Sequence, residues 1–234
     1  MKIGFDNDKY LKMQSEHIKE RIAKFDNKLY LEFGGKLFDD YHASRVLPGF
    51  KPDSKLQMLL QLKDQAEVVI AISAEDIASN KIRGDYGITY DQEVLRLIDA
   101  FTEYGLFVGS VCITKYFQQP DVDNFIKVLD AHGIKNFKHY KIAGYPNDVA
   151  KIVSDEGYGK NEFIETSRPL VVVTAPVREV ERWLHAFLSF TMNISMELRL
   201  DMPSLRHSQS GIFHLSTLLI LLMRQRQQTL MMLI

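Results

Sequence analysis

Glu67-Val68-Val69-Ile70-Ala71-Ile72 (EVVIAI) is the stretch on which the fold turns. A short, nearly unbroken β-branched run predicts a strand buried on both faces, the kind found in parallel sheets covered by helices. Ser73-Ala74-Glu75-Asp76 follows it directly and opens a helical turn. Two more strands of this kind are expected at Leu106 to Ile113 (LFVGSVCI) and Leu170 to Thr174 (LVVVT). Lys28 to Phe33 (KLYLEF) alternates apolar with polar residues and stops at Gly34-Gly35-Lys36, where a glycine pair permits a sharp turn. Lys135 to Ile142 supplies another strand.

Helical signals fill the intervals. Leu11, Ile18, Ile22 and Phe25 recur on one face of a stretch from Asp8 to Phe25. A short helix or turn through Tyr41-His42 is broken by Pro48-Gly49, and Asp53 can cap a helix carrying Leu56, Leu59 and Leu60. Thr89-Tyr90-Asp91-Gln92 has capping-box spacing, so Asp91 reads as a first-turn acid rather than a catalyst. Pro120 opens a helix that runs to Ala131 and stops at His132-Gly133; Pro146 to Val153 is a shorter one. The alternation predicts an α/β fold, a mostly parallel sheet of about five strands with helices on both faces. Ligands are then expected beyond the carboxyl ends of the strands, at Gly34-Gly35-Lys36, Ser73, Thr114-Lys115 and Thr174-Ala175-Pro176.

Composition narrows the function classes. With 29 Lys+Arg against 30 Asp+Glu, the chain has no basic footprint for nucleic acid and no polybasic membrane anchor. Cys112 lies in an apolar run and has no second cysteine to pair with, which fits a reducing compartment. The opening Met1-Lys2-Ile3-Gly4-Phe5-Asp6 turns acidic before the apolar core of a signal peptide can form, so a cytoplasmic location is expected.

The chain changes character at Pro176. Residues 1–176 hold all 18 lysines and all 10 tyrosines, whereas 177–234 hold neither but carry 12 leucines and 6 of the 9 methionines. The expected organisation is an α/β domain over 1–176 and a non-native, Leu/Met-rich tail over 177–234, helical or disordered. A real Leu/Met-rich helical module is the other reading. The apolar run Leu215 to Met223 has only nine residues, too few to cross a bilayer, which needs about 20.

Candidate chemistry sits at the turns. Gly34, Gly35 and Lys36 bring backbone N–H groups and an ammonium together, which suits an anion, yet without P-loop spacing they also read as a plain turn. Arg45, within Asp40 to Arg45, and Arg83, within Arg83-Gly84-Asp85-Tyr86-Gly87, can neutralise a phosphate or carboxylate; both stretches equally suit surface turns. Gly157-Tyr158-Gly159-Lys160-Asn161 has the same ambiguity. His42 and Asp85 are the acid–base candidates, and Thr174 stands at a strand end where ligand is expected. Histidines and the cysteine show no zinc spacing, so no metal site is expected, and no motif names a cofactor. The expected partner is a phosphate-containing small molecule, with homo-oligomerisation left open.

Four strings, KLYLEFGGKLFDDYHASRVLPGF, RGDYGITYDQEVLRLID, VGSVCITKY and GYGKNEFIETSRPLVVVTAP, together resemble the bacterial uncharacterised protein family 0371, or domain of unknown function 1846. The resemblance covers residues 1–176 and stops at Pro176. It implies a longer protein with additional C-terminal domains, in which the strand matching Leu170 to Thr174 runs into a Gly-Pro-Gly-Ser-Gly-Lys loop. Here Val177-Arg178-Glu179-Val180-Glu181-Arg182 stands in that place. Written as GTC CGG GAA GTG GAA AGA with one G restored in front, the hexapeptide becomes GPGSGK, and the shifted frame continues with lysines and tyrosines. Residues 177–234 therefore read as an out-of-frame translation after a one-base loss. The resemblance implies a family member whose intact form is a nucleotide- or phosphate-ligand-binding enzyme, with this chain inactive; the alternative is a non-catalytic ligand-binding or oligomeric assembly module.

Overall fold

The computed structural model describes residues 4–24, 28–32, 37–38, 41–144, 147–152 and 154–176. Its sheet is built around β2 (Ala66–Ser73), buried at all eight positions. On one side β2 pairs with β5 (Phe107–Tyr116), which pairs with β6 (Asn136–Tyr140). On the other it pairs with β7 (Leu170–Thr174), which pairs with β1 (Leu29–Glu32). Every pairing is parallel, and the order across the sheet is β1-β7-β2-β5-β6.

That order determines where the helices go. From β1 through β2 and β5 to β6 the chain steps in one direction, skipping one place after β1. The return from β6 fills the skipped place with β7. Right-handed crossovers put the forward connections on one face and the returning one on the other. The forward connections hold α2 (Tyr41–Val46), α3 (Ser54–Leu60), α4 (Ala74–Ala78), α5 (Tyr90–Glu103) and α6 (Pro120–Ala131), and the last four pack into the core on that face. The returning connection carries α7 (Val149–Ile152) and a 3-10 turn at Tyr158–Lys160. Helices thus lie on both faces, as the sequence predicts.

The forward face holds the main core. Leu59, Ile77, Val94, Phe101 and Leu129 from the helices close over Val68, Ile70, Val111, Ile113, Leu170 and Val172 from the strands. Ile18 of α1 (Asn7–Lys24) joins the same cluster. Each such side chain contributes roughly 1.5–3 kcal/mol by leaving water. The opposite face has a smaller cluster of Val69, Cys112, Val171 and Val173 under Ile164.

Particular residues explain most boundaries. Pro120 at the first helical position and positive-φ Gly133 bracket α6, whose limits match those read from sequence. Thr89 and Gln92 form the expected capping box at the start of α5, with Gln92 Oε1 accepting from Thr89 N at 3.2 Å. Asp53 holds the N-cap position of α3 without a capping bond and instead accepts from Gln57 Nε2 at 3.1 Å. Some features differ from expectation: β6 ends at Tyr140, two residues before Ile142. β5 continues three residues past Ile113, and a small antiparallel hairpin, β3 (Ile82–Arg83) with β4 (Ile88–Thr89), occupies what reads as a loop.

The outer edge of β6 is closed by the Asn161–Glu162 segment, chiefly through its side chains, rather than by another strand. Lys138 N donates to Glu162 Oε2 at 2.7 Å and Tyr140 N to Asn161 Oδ1 at 2.8 Å, while Glu162 N donates back to Lys138 O at 3.1 Å.

Candidate functional site

The carboxyl edge of the sheet is stepped. Thr174 ends β7 opposite Ile70, and Val173 lies opposite Glu32, the last residue of β1. β2 runs three residues past Ile70 to Ser73, which pairs with Thr114 of β5. The end of β7 therefore sits about 10 Å lower than that of β2, at a strand rise of about 3.3 Å per residue, and the end of β1 lies lower again. Thr174, one of the residues singled out from sequence, is buried at the base of this step. Ser73 Oγ, at its upper side, accepts from Glu75 N at 3.3 Å.

The other sequence-derived residues distribute as follows. Gly34, Gly35 and Lys36 lie outside the described residues; they follow Glu32 by two to four positions. His42 belongs to α2, but its side chain lies outside what is described. Arg45, exposed on α2, turns its Nε back to Tyr41 O at 3.2 Å. Arg83 and Asp85 come together as an ion pair, Nε to Oδ1 at 2.7 Å and Nη2 to Oδ2 at 3.1 Å. Arg83 Nη1 also donates to Glu93, a fully buried carboxylate that Arg96 grips at 2.7 and 2.8 Å. The Tyr86 ring lies 4.7 Å from both guanidinium groups. Arg83 thus already faces two carboxylates, and its arrangement ties the β3–β4 hairpin to α5. In the glycine-lysine stretch near residue 157, a Cβ on Gly157 would meet Lys151 O at 2.2 Å, so close packing accounts for that glycine. Lys160 stands over the Tyr140 ring at 4.8 Å.

Sequence reading did not anticipate a convergence at the ends of β2, β5 and β6. Lys115 Nζ donates to Glu75 Oε2 and Lys141 Nζ to Glu75 Oε1, each at 3.1 Å. Partial burial pushes the Glu75 carboxyl upward, but the two lysine hydrogen bonds outweigh it and hold the group below its usual range. Beneath, Tyr116 Oη donates to Asp123 Oδ1 at 2.6 Å, and that bond helps push the phenol up to about 12. His139 is buried; its Nε2 lies 3.1 Å from Glu162 O, and its Nδ1 has no hydrogen-bond partner among the described residues. Desolvation lowers the imidazole to about 4, so it is neutral at pH 7. Burial pushes the Cys112 thiol well above its ordinary value, which makes it a packing group rather than a nucleophile.

Among the described residues, no group of three or more His, Cys, Asp or Glu could hold a metal ion, and no helix is long and apolar enough to cross a membrane. What the edge offers chemically is cationic: ammonium groups at the ends of β5 and β6 beside a step in the strands.

Comparison with known proteins gives the lineage. The family model described as "Domain of unknown function DUF1846, N-terminal" matches residues 3–182. A UPF0371 protein of Streptococcus pyogenes serotype M5 (strain Manfredo) is 58% identical over 174 residues, covering 74% of this chain and 35% of the relative. UPF0371 proteins of Streptococcus sanguinis (strain SK36) and Streptococcus pneumoniae (strain CGSP14) are each 58% identical over 175 residues, 75% of this chain and 35% of the relative. The chain thus spans about a third of the length of these relatives, and the portion matched by the family model contains the whole sheet described above. With the family model covering most of its length, this chain belongs to the UPF0371 family, matched through the family's N-terminal DUF1846 region.

Proposed function

We propose that the UPF0371 architecture binds a phosphate-bearing small molecule, a nucleotide or a simpler phosphate ligand, at the carboxyl edge of this sheet and acts on it as an enzyme. The observation that carries the reading is topological. β7 runs parallel to its neighbours but is inserted out of sequence order, between β1 and β2, and such reversals of strand order leave a crevice beyond the strand ends where ligands bind. Gly34, Gly35 and Lys36, which follow β1, supply backbone donors and an ammonium; Thr174 forms the floor. Arg45 and Arg83 neutralise charge, and His42 or Asp85 moves the proton. For Arg83 and Asp85 to act, ligand must compete with their own ion pair.

In this reading, residues 177–234 come from a shifted frame. Val177 to Arg182 lacks the Gly-Pro-Gly-Ser-Gly-Lys loop that would present consecutive N–H donors after β7, and β-branched side chains at Val177 and Val180 obstruct the close backbone approach that such a cradle needs. This chain is therefore inactive. Sequencing the gene through codon 176 tests the point: an uninterrupted frame agreeing with full-length relatives would remove it.

The ligand reading is tested on a full-length relative by thermal unfolding with ATP, ADP and inorganic phosphate. Binding to the native state stabilises by RT ln(1 + [L]/Kd), about 2.7 kcal/mol at a hundredfold excess over Kd. No shift at millimolar ligand would instead favour a non-catalytic assembly module.

A further inference from the structure

Lys115 is held in an unfavourable backbone conformation. Its φ of 56° lies in the left-handed region, which a residue with a Cβ adopts at a cost, and it falls inside the register shift between Ile113 and Tyr116 that interrupts the β5–β6 pairing. The bulge brings its ammonium to Glu75, across 40 residues of sequence. Lys141, directly after β6, reaches the other oxygen of the same carboxylate across 66 residues. Three strand ends meet at one side chain.

A staple between α4 and two strands does not account for this expense, because a solvent-exposed ammonium–carboxylate pair returns little stability. The Glu75 and Lys141 side chains are 41% and 61% exposed. Strained non-glycine residues, by contrast, concentrate where a ligand is held. The local charge is also unbalanced, two ammonium groups against one carboxylate. The neighbouring Asp76 is buried beside Lys81 at 3.7 Å, and Glu162 is 3.6 Å from Lys138.

We infer that Lys115 and Lys141 form a phosphoryl clamp whose resting occupant is Glu75. A phosphoryl group of a small molecule displaces the carboxylate, accepts hydrogen bonds from both ammonium groups, and leaves Glu75 turned to solvent. The internal carboxylate keeps the lysines aimed at one point and sets a threshold that a monocarboxylate does not pass and a multiply charged phosphate does. The inference rests on the reading of the carboxyl edge as a phosphate site and adds a second grip at the β5–β6 side, remote in sequence from Lys36.

The test is calorimetric titration of the 234-residue chain with pyrophosphate. Glu75→Gln is expected to bind at least about threefold more tightly, because the competing charge is gone. Lys115→Gly and Lys141→Gln are each expected to bind roughly tenfold more weakly, the loss of one charge-assisted bond. Lys115→Gly should also melt no lower than the parent, since glycine accepts the left-handed backbone, which separates lost binding from lost folding. Absence of pyrophosphate binding by the parent, unchanged affinity in both lysine variants, or weaker or unchanged binding by Glu75→Gln would overturn the clamp. Tighter binding of citrate than of pyrophosphate would overturn its assignment to phosphoryl groups. Lys36→Ala distinguishes the two readings. Sensitivity to Lys36 alone removes the clamp and leaves the glycine loop, and sensitivity to the lysine pair alone does the reverse.

Discussion

Two glutamates mark the two ends of β2, and they are built in opposite ways. Glu67, at the amino end, is buried, and its Oε2 accepts from Ser167 N, Ser167 Oγ and Arg168 N at 2.6–3.1 Å. Backbone donors cannot move away, and the strand beside it makes room: a Cβ on Gly109 would lie 2.0 Å from Glu67 Oε1. Glu75, at the carboxyl end, is half-exposed, and its carboxylate is held, among the described residues, by the ends of two flexible lysines. The first carboxylate locks the connection leading to β7 onto the sheet. The second is held by groups that can release it, which is what an exchangeable site requires.

Removing Glu67 should therefore have the largest effect on stability. Glu67→Ala leaves buried donors unpaired and is expected to cost roughly 4 kcal/mol by urea denaturation. A loss below about 1 kcal/mol would erase the distinction between the two ends. Acid should reveal another buried group, His139. Its folded pKa of about 4 lies below its ordinary 6.5, so the unfolded chain takes up the proton first. Stability from this group is complete above about pH 6.5 and is lost as pH falls toward 4, by as much as about 3 kcal/mol. A urea-unfolding series across that range, run beside His139→Gln, measures it; an identical pH dependence in the two proteins would refute it.

Gly109→Ala comes next, at about 2 kcal/mol, because the anchored Glu67 cannot swing aside. In a Glu67→Ala background the same change should cost much less, and a double-mutant cycle reports the coupling. The smallest change is expected at the other end of the strand, where Glu75→Ala should alter stability by less than about 1 kcal/mol, since its partners return to water.

The sequence made the architecture legible wherever a local pattern carried it. The β-branched runs at 67–72 and 170–174, the Pro120 start of α6 and the Thr89–Gln92 spacing are each set by residues a few positions apart. The β3–β4 hairpin escaped because strands of two residues have no periodicity to read. The apolar pattern of β5 ends three residues before the strand does because its last part is polar and bulged, and pairing with β6, not hydrophobicity, keeps it in the sheet. The site was less legible than the fold. Arg83 and Asp85 are near neighbours, and their pairing follows from proximity. The meeting of Glu75 with Lys115 and Lys141 depends on strand order, which no short stretch encodes.

The side-chain seal along β6 has a consequence for assembly. Asn161 and Glu162 occupy the hydrogen-bonding positions that an incoming strand would need, so neither a second copy nor a fibril can extend the sheet from that flank without first evicting them.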